Sequence, residues 1–327
     1  MAEKKAVNKV VEPTNEEIDA HVDQLVAKAQ VALSKFEEFT QEQVDYIVAK
    51  CSVAGLDAHG TLAEAAINET GRGVFEDKAV KNLFACEYVT SNLRHLKTVG
   101  IINEDPLLGI TEIAEPVGVV CGIVPTTNPT STVIFKSLIC LKTRNPIIFS
   151  FHPSAHACSV MAAVVIRDAA VAAGAPEDCI QWLDMKSMYA TTALMKHPGV
   201  ATILATGGNA MVSAAYSCGK PALGVGAGNV PAYVEKTCVL PRAVNDIVLS
   251  KSFDNGMICA SEQAAIVDHE IYDDFMKEIK RFKVYFVNKD EKAKLEQFMF
   301  GAAAYSDNVN AAKLNPNVVG KPATWIA

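Results

Sequence analysis

The chain has 327 residues, of which 50% are hydrophobic and 20% are charged, so it can bury a large core and is expected to form two domains. Its formal net charge of -7 leaves no basic face for a nucleic acid, and it has no lysine- or arginine-rich run interleaved with aromatic residues. A membrane span is not expected either, because Arg167 and Asp168 interrupt the richest apolar stretch, residues 160 to 175, short of the roughly 20 residues that a bilayer requires.

The N-terminus and the cysteines indicate the compartment. Residues 1 to 12 are charged and lack the apolar core of a signal peptide. The nine cysteines are scattered through apolar segments, and no two form a C-x-x-C pair or a metal-ligand spacing. We therefore expect a cytoplasmic protein without a metal site. For any single cysteine the ordinary role is that of a small buried side chain, so a special role needs local support.

The N-terminal part of the chain is predicted to be helical. Residues 1 to 13 are interpreted as a mobile arm. After it, Thr14 with Glu17 and Thr40 with Gln43 fit the T-x-x-E/Q capping box that opens a helix, so two long helices are expected. A third helical stretch is predicted from about residue 77 to residue 97.

Residues 98 to 115 are predicted to form a β-hairpin. Apolar runs flank Asn103-Glu104-Asp105-Pro106, which is a turn-forming sequence. An extended hairpin that leaves a helical domain is often a dimerisation arm, and an ordinary surface hairpin is an equal alternative on these residues alone.

From Pro116 onward, strand patterns alternate with helix patterns. The predicted strands cover residues 117 to 124, 146 to 150, 179 to 183, 201 to 205, 221 to 225 and 231 to 235, and the predicted helices cover 131 to 141, an alanine-rich segment ending at 173, 188 to 196 and 209 to 218. Such alternation predicts an α/β fold with a doubly wound, mostly parallel sheet. Ligands of such sheets bind beyond the carboxyl ends of the strands, where three segments carry polar residues, namely 125 to 130, 150 to 153 and 206 to 208.

Two glycine motifs follow apolar strands. Gly224-Val225-Gly226-Ala227-Gly228-Asn229 resembles the dinucleotide fingerprint G-x-G-x-x-G, but Asn229 takes the sixth position and Pro231 favours extended chain where the fingerprint needs a helix. We predict instead a tight strand-to-strand turn that closely approaches a ligand or another segment. Thr206-Gly207-Gly208 is a better phosphate cradle, because it follows a strand and opens a helix. A glycine used only for packing remains the alternative there.

The most informative segment is residues 252 to 263, S-F-D-N-G-M-I-C-A-S-E-Q. Asn255-Gly256 predicts a tight turn, so Cys259 should lie in a connection between a helix and the apolar strand of residues 264 to 267. A thiol in such a loop can be exposed and deprotonated, and its backbone N–H can help to hold an oxyanion. On these residues alone, a buried loop cysteine is an equal alternative.

Three segments, in the same order along the chain, resemble the aldehyde dehydrogenase superfamily: I-V-P-T-T-N-P-T-S-T, G-V-G-A-G-N-x-P and F-D-N-G-x-I-C-A-S-E-Q. The resemblance extends from about Glu17 to Ala327 and is specific to the CoA-acylating branch, in particular to the N-terminal half of the bifunctional aldehyde-alcohol dehydrogenases. It implies a Rossmann-like aldehyde dehydrogenase fold. It also implies that Cys259 attacks the aldehyde and that the Asn128 side chain holds the oxyanion together with the Cys259 N–H.

The resemblance further implies an NAD site. Its residues would be Ile123, Val124, Pro125, Thr126, Thr127, Asn128, Gly208 and Gly226, beside the cradle Thr206-Gly207. Ser150, His152 and Pro153 would lie where the adenosine ribose binds. The lack of a basic residue at Ser150 gives no preference for a 2'-phosphate, so NAD is favoured over NADP.

One departure predicts the reaction type. Hydrolytic members of the superfamily carry a glutamate 34 positions before the cysteine, where it activates water, and this chain has Val225 there. Without that base the thioester should persist until a thiol collects the acyl group, so CoA is the expected acceptor. The expected reaction interconverts acetaldehyde or another short aldehyde with its acyl-CoA, and in a fermenting cell it would run towards acyl-CoA reduction. A hydrolytic enzyme that releases free acid is the rival.

The resemblance also divides the chain. It predicts an NAD-binding domain over residues 14 to 255 and an incomplete second α/β catalytic domain over residues 256 to 327, because the superfamily's catalytic domain continues well past this point. A homo-oligomer is expected, and the bifunctional family builds filaments. A second rival is therefore an assembly element or an inactive fragment of such an enzyme.

Overall fold

The structure is a computed structural model that describes residues 13–301 and 312–327. The predicted mobile arm, residues 1 to 13, lies outside the described residues except for Pro13. The helices are α1 (Asn15–Phe36), α2 (Gln41–Asp57), α3 (His59–Thr70), α4 (Phe75–Leu93), α5 (Pro129–Lys142), α6 (His156–Ala172), α7 (Met188–Lys196), α8 (Asn209–Tyr216), α9 (Leu240–Ser252), α10 (Tyr272–Lys280), α11 (Lys289–Phe300) and α12 (Ala323–Ile326). The strands are β1 (Gly100–Asp105), β2 (Ile110–Ala114), β3 (Val119–Val124), β4 (Ile147–Phe151), β5 (Ile180–Trp182), β6 (Val200–Thr206), β7 (Ala222–Val225), β8 (Pro231–Val234) and β9 (Ala264–Val267).

Both predicted capping boxes are confirmed. The Thr14 hydroxyl accepts a hydrogen bond from the Glu17 N–H, and the Glu17 carboxylate accepts one from the Thr14 N–H. Thr40 and Gln43 make the same reciprocal pair at the start of α2. Each box satisfies two N–H groups that a helix start otherwise leaves without partners, which explains why α1 and α2 begin where they do.

The central sheet confirms the predicted doubly wound topology. Its strand order is β5-β4-β3-β6-β7, and every neighbouring pair is parallel. β3 and β4 are buried along their whole length, as expected of strands covered by helices on both faces. Alternate residues serve the two faces: Val120 and Phe149 pack with the layer that contains α2, α5 and α6, whereas Cys121 and Ile148 pack with α1 and α7.

A second, smaller parallel pair follows. β8 and β9 pair from Pro231 with Ala264 to Val234 with Val267. The core beside it is a small cluster around Val234, Val244 and Phe275, to which α9 and α10 contribute. Along β9, Ala264 to Ile266 are exposed.

Three details differ from the sequence predictions. α3 was not foreseen as a separate helix, because Ala58 joins it to α2 with helical backbone angles and no intervening turn signal. α4 begins and ends earlier than predicted. In the hairpin, Asn103 and Asp105 belong to β1, and the turn lies at residues 106–109. The reason is local, since the Asp105 side chain accepts hydrogen bonds from the N–H groups of residues 107 and 108, and Gly109 then takes a φ of 65°.

The expectation that no segment could span a bilayer needs one correction. The helical run Pro153–Ala172 is long and apolar enough by length and composition. In the fold it is a core helix, because Ala162, Ala163 and Ile166 are completely buried among α2, α5 and the sheet.

Candidate functional site

The loop that carries Cys259 begins with an unusual backbone. After α9, a 3₁₀ turn covers Phe253–Gly256, and Asp254, Asn255 and Gly256 have φ values of 49°, 53° and 74°. Left-handed angles cost a non-glycine residue roughly 1–3 kcal/mol each and persist only where the surroundings enforce them. The chain then reaches Cys259, which is exposed in a turn between α9 and β9, where the sequence predicted a connection.

The other cysteines lie in different surroundings. All nine belong to the described residues, and six of them are buried while Cys218 and Cys238 are half-buried. Burial raises the pKa of Cys121, Cys140 and Cys179 to about 12, which keeps those thiols protonated and inert at neutral pH. Exposure therefore singles out Cys259 from the other eight.

Asp254 explains how the strained turn is held. Its carboxylate is completely buried and accepts hydrogen bonds from the Val74 N–H at 2.7 Å, from Lys78 Nζ at 3.2 Å and from Lys81 Nζ at 2.5 Å. Its own N–H donates to the Asp77 carboxylate at 2.7 Å. A buried charge is tolerated only when it is paired and hydrogen-bonded, so this cluster fixes the turn against the first part of α4.

The structure brings Asn128 to the same loop. Asn128 follows β3 and occupies the N-cap position of α5, yet its side chain makes no capping hydrogen bond. Its Nδ2 instead donates to the carbonyl oxygen of Met257 at 3.3 Å and to Thr127 Oγ1 at 3.2 Å, while its Oδ1 accepts from Lys81 Nζ at 2.6 Å. An amide N–H donor thus faces the backbone two residues before Cys259.

The glycine loop of residues 224–229 lies between the sheet and Cys259. A Cβ atom placed on Gly228 would come within 3.7 Å of the Cys259 carbonyl oxygen, and Gln263 Nε2 donates to the Gly228 carbonyl at 2.9 Å. No helix follows the loop, so the rejection of the dinucleotide fingerprint is confirmed. The predicted connection between two strands is present, and because β7 and β8 belong to different sheets, this loop links the two sheets.

The carboxyl end of β3 is the place where the topology of the sheet predicts a ligand. Strand order reverses beside β3, where open parallel sheets bind their ligands. Ile123 and Val124 are buried within the strand, and the residues that follow, Pro125 to Thr127, are half-buried at its carboxyl end.

The segment after β6, Thr206 to Gly208, lies at the carboxyl end of the strand that neighbours β3. A Cβ atom on Gly208 would meet nothing within 4 Å, and α8 begins directly afterwards without a side-chain cap. The Gly207 N–H donates to the Val225 carbonyl oxygen at 3.1 Å, which ties this segment to the glycine loop and to Gly226. Open space beside free helix N–H groups suits the phosphates of a dinucleotide.

The residues predicted to lie at the adenosine ribose differ in their exposure. Ser150 is buried, and its hydroxyl forms a 2.7 Å hydrogen bond with Thr191, so its side chain faces α7. His152 and Pro153 are exposed at the end of β4, and the His152 Nδ1 lies 2.8 Å from the Ser154 hydroxyl. Although the side chain is exposed, partial desolvation of the ring and the nearby Arg72 guanidinium lower the pKa of His152, which favours the neutral ring at neutral pH.

Sequence reasoning missed the charged groups around the site. Lys78 and Lys81 lie at i, i+3 spacing on α4, and both ammonium groups are buried beside Asp254. Arg72 donates to the Thr126 hydroxyl at 3.4 Å. The spacing K-x-x-K on one helix face and an aspartate next to the Asn-Gly turn were visible in the sequence, but nothing in the pattern indicated that they meet.

A hollow of about 370 Å³ opens beside the residues that flank Cys259. Its walls are mostly apolar and come from α9 and the cysteine loop. The residues that line it are Asp246, Leu249, Ser250, Phe253, Ile258 and Ala260.

Together these features define a class of protein with an open parallel sheet, in which an amide donor at the end of a central strand contacts the loop of an exposed cysteine. A model of the aldehyde dehydrogenase family matches residues 3–308, and the chain belongs to that family. The fold expected from the resemblance is therefore confirmed.

Relatives and solved structures agree with this assignment. The chain is 68% identical over 312 residues to the Entamoeba histolytica protein named aldehyde-alcohol dehydrogenase 2, a match that covers 95% of this chain and 36% of the relative. An acetylating aldehyde dehydrogenase from Geobacillus thermoglucosidasius superposes with a TM-score of 0.89 at 44% identity, over 97% of this chain and 68% of that one. A Rhodopseudomonas palustris propionaldehyde dehydrogenase with bound CoA and an acylated cysteine gives 0.80 at 30% identity, over 93% and 68%. The chain spans about a third of the length of the curated aldehyde-alcohol dehydrogenases that it matches.

Proposed function

We propose that this chain carries the chemistry of an NAD-dependent, CoA-acylating aldehyde dehydrogenase, as part of a bifunctional aldehyde-alcohol dehydrogenase. It would interconvert a short aldehyde, CoA and NAD with acyl-CoA and NADH through a thioester on Cys259. One observation carries the proposal: the exposed Cys259 loop meets the Asn128 amide on one side and a glycine loop without a carboxylate on the other.

The first step is attack on the aldehyde. The Cys259 sulfur, as thiolate, adds to the carbonyl carbon, and the carbonyl oxygen takes the negative charge. Asn128 Nδ2 and the Cys259 N–H are the donors that would hold this oxyanion. When bound, NAD supplies the oxidising chemistry by accepting hydride from the thiohemiacetal carbon, which leaves a thioester on Cys259.

The second step decides the product. The CoA thiolate attacks the thioester carbon, the same two donors hold the new oxyanion, and the Cys259 thiolate leaves. Water would need a general base to compete, and residues 224–229 contain no carboxylate. Val225, the position that carries the glutamate in hydrolytic relatives, is half exposed and offers no proton acceptor.

NAD and a short acyl group are proposed because the open positions near Cys259 and α8 suit their chemical groups. The open Gly208 position and the start of α8 suit the NAD phosphates. The choice of NAD over NADP rests on the family resemblance alone, because the Ser150 side chain faces Thr191 and not the ligand side. The apolar hollow beside Ile258 and Ala260 suits a short alkyl chain. CoA as acyl acceptor is supported by the Rhodopseudomonas palustris enzyme, whose structure holds CoA beside an acylated cysteine.

Location and assembly complete the proposal. Nine unpaired cysteines, with a reactive one at the surface, suit the reducing cytoplasm.

The hairpin β1–β2 is proposed as the contact between copies, since Leu107 is 97% exposed and Leu108 is 71% exposed at its tip. Sedimentation of the chain with both leucines replaced by serine tests this contact: a smaller species is expected, and an unchanged one would refute it.

The deciding experiment is a pair of assays on the 327-residue chain. Incubation with acetyl-CoA, followed by intact-mass analysis and peptide mapping, should place an acetyl group on Cys259. Acetaldehyde with NAD should give sustained NADH formation only when CoA is present. Sustained NADH formation with free acid and no CoA would favour the hydrolytic rival. Absence of both acetylation and NADH would favour the assembly element or inactive fragment.

A further inference from the structure

The Asn128 side chain can help the chemistry in only one of its two orientations. Its amide has an oxygen that accepts and a nitrogen that donates, and a rotation of 180° about the last side-chain bond exchanges them. An oxyanion needs the nitrogen. The residue that fixes the orientation is therefore as important to the geometry as Asn128 itself.

Lys81 and the Met257 carbonyl oxygen require the same orientation, and Lys81 makes the shorter, charged contact. A lysine ammonium has three donors and no acceptor, so the Asn128 atom 2.6 Å from Lys81 Nζ must be the oxygen. The nitrogen then points the other way, where it donates to the Met257 carbonyl in the loop of Cys259. Without Lys81, the local alternative for Asn128 is to turn its oxygen to the free N–H groups at the start of α5, as an N-cap asparagine ordinarily does.

Asp254 in turn holds Lys81. The carboxylate is completely buried, Lys81 is only 8% exposed, and Nζ lies 2.5 Å from Oδ2. Burial lowers the pKa of Lys81, and the charge of Asp254 opposes this shift and favours the ammonium form. Lys78 shares the same carboxylate oxygen but contacts the Thr127 backbone carbonyl, at 3.1 Å, and not the Asn128 amide.

We propose that Lys81, held by Asp254, is a positioning residue that locks the Asn128 amide with its nitrogen towards the Cys259 loop and polarises it. A charged donor on the amide oxygen draws electron density from the nitrogen and makes its N–H a stronger donor to an oxyanion. The effect of Lys81 passes through Asn128, whose amide oxygen its ammonium contacts directly. The inference rests on the proposed thioester chemistry and adds to it a residue on α4 that orients the oxyanion donor.

The test compares two matched lysines on one helix. Lys81→Met and Lys78→Met each remove one ammonium from the same buried carboxylate, but only the first loses contact with Asn128. The readout is the rate of Cys259 acetylation by acetyl-CoA, measured by intact mass, with thermal unfolding of each variant alongside. Lys81→Met should lower the rate by about 10- to 100-fold, short of the roughly 100- to 1000-fold expected for Asn128→Ala as loss of the whole donor. Lys78→Met should change it only several-fold.

A double mutant separates positioning from general packing. In an Asn128→Ala background, Lys81→Met should have little further effect on acetylation, because its effect passes through the missing amide. Lys81→Gln, which keeps a neutral donor, should recover part of the rate. The proposal would be overturned if the two rate losses multiplied in the double mutant. It would also be overturned if Lys81→Met and Lys78→Met lowered the acetylation rate equally.

The orientation of the Asn128 amide can also be tested without an activity assay, from its side-chain N–H signals in NMR spectra. The side-chain N–H signals of Asn128, assigned by their absence in Asn128→Asp, should shift strongly in Lys81→Met or Lys81→Gln and hardly in Lys78→Met. Unmoved signals would refute the positioning role. If wild-type Cys259 is not acetylated while these signals move as expected, the proposed function fails and the amide orientation by Lys81 stands.

Discussion

The two parallel sheets that meet at the site are built in different ways. β3 and β4 of the central sheet are buried along their whole length, with the side chains of alternate residues in two large clusters. β9 of the smaller sheet exposes Ala264 to Ile266 in the described structure, and its neighbouring core is small. The central sheet is held by packing, whereas the cysteine loop is held by polar contacts that Asp254 and Gln263 make with other elements.

This difference separates the residues that stabilise the fold from those that would arrange the chemistry in the proposed function. Deep burial gives each central-strand residue a large share of the folding free energy. The loop residues contribute less to packing, and their contacts fix where one thiol and one amide lie. Substitutions in the central sheet should therefore mainly lower the free energy of unfolding, whereas substitutions in the cysteine loop should mainly lower the reactivity of Cys259.

The largest expected effect is on the thiol itself. Cys259→Ala should abolish acetylation by acetyl-CoA, because the other eight cysteines are buried or half-buried. Its free energy of unfolding should change by no more than about 0.5 kcal/mol, as is usual for an exposed position. Intact mass and urea denaturation measure the two quantities. Cys218→Ala is the control and should keep acetylation, and acetyl label on Cys259→Ala protein would show that another thiol reacts.

The next effect concerns stability alone. Phe149 is completely buried in β4, so Phe149→Ala should lower the free energy of unfolding by about 3–5 kcal/mol. Ile266 on β9 is 54% exposed, and Ile266→Ala should remain within about 1 kcal/mol of the wild type. Urea denaturation with matched m-values gives both numbers. Equal losses would mean that the second sheet is packed as tightly as the first.

The smallest expected effect is a gained activity. Val225→Glu would place a carboxylate in the glycine loop, and hydrolysis of the acetyl-enzyme should rise by several-fold. The base acts when deprotonated, so the gain should appear as the pH rises through the glutamate pKa, ordinarily about 4.3 and higher where the loop is desolvated.

Val225→Gln is the matched control, with nearly the same shape and no base. Release of free acetate from purified acetyl-enzyme at a series of pH values measures the difference. Folding and NAD binding are checked first, because a carboxylate in an apolar turn can distort it. A folded, acetylated Val225→Glu protein that releases acetate no faster than Val225→Gln would show that water exclusion controls the acceptor.

The sequence predicted the elements with periodic hydrophobic patterns and the loops that contain turn-forming residues such as Asn-Gly. Capping boxes, the alternation of strands and helices, and the turn before Cys259 are local patterns, so they could be derived without a structure. The join between α2 and α3 could not, because Ala58 carries no signal that distinguishes a bend from continuous helix. The hairpin turn was misplaced because both Asn103 and Asp105 are turn formers, and the side-chain hydrogen bonds of Asp105 decide between them.

The site was predicted only where single residues carried the signal. Cys259 and Asn128 belong to recognisable motifs, and the structure brings their segments together. Lys81, Asp254 and Arg72 were missed because their importance comes from contacts between distant segments. Ser150 lies at a strand end, as predicted, but the alternation of the strand turns its hydroxyl towards Thr191, so its place at the ribose stays a prediction.

The bond between Lys81 and Asp254 spans 173 residues of sequence, and this separation has a consequence for synthesis. As the ribosome extends the chain, α4 and much of the central sheet emerge long before the cysteine loop, and N-terminal units generally fold first. Until Asp254 emerges and enters its buried position, Lys81 lacks its carboxylate partner and Asn128 has no cysteine loop to face. The contact between the Asn128 amide and the loop of Cys259 therefore forms only after both ends of this long-range bond have met, late in the synthesis of this part of the chain.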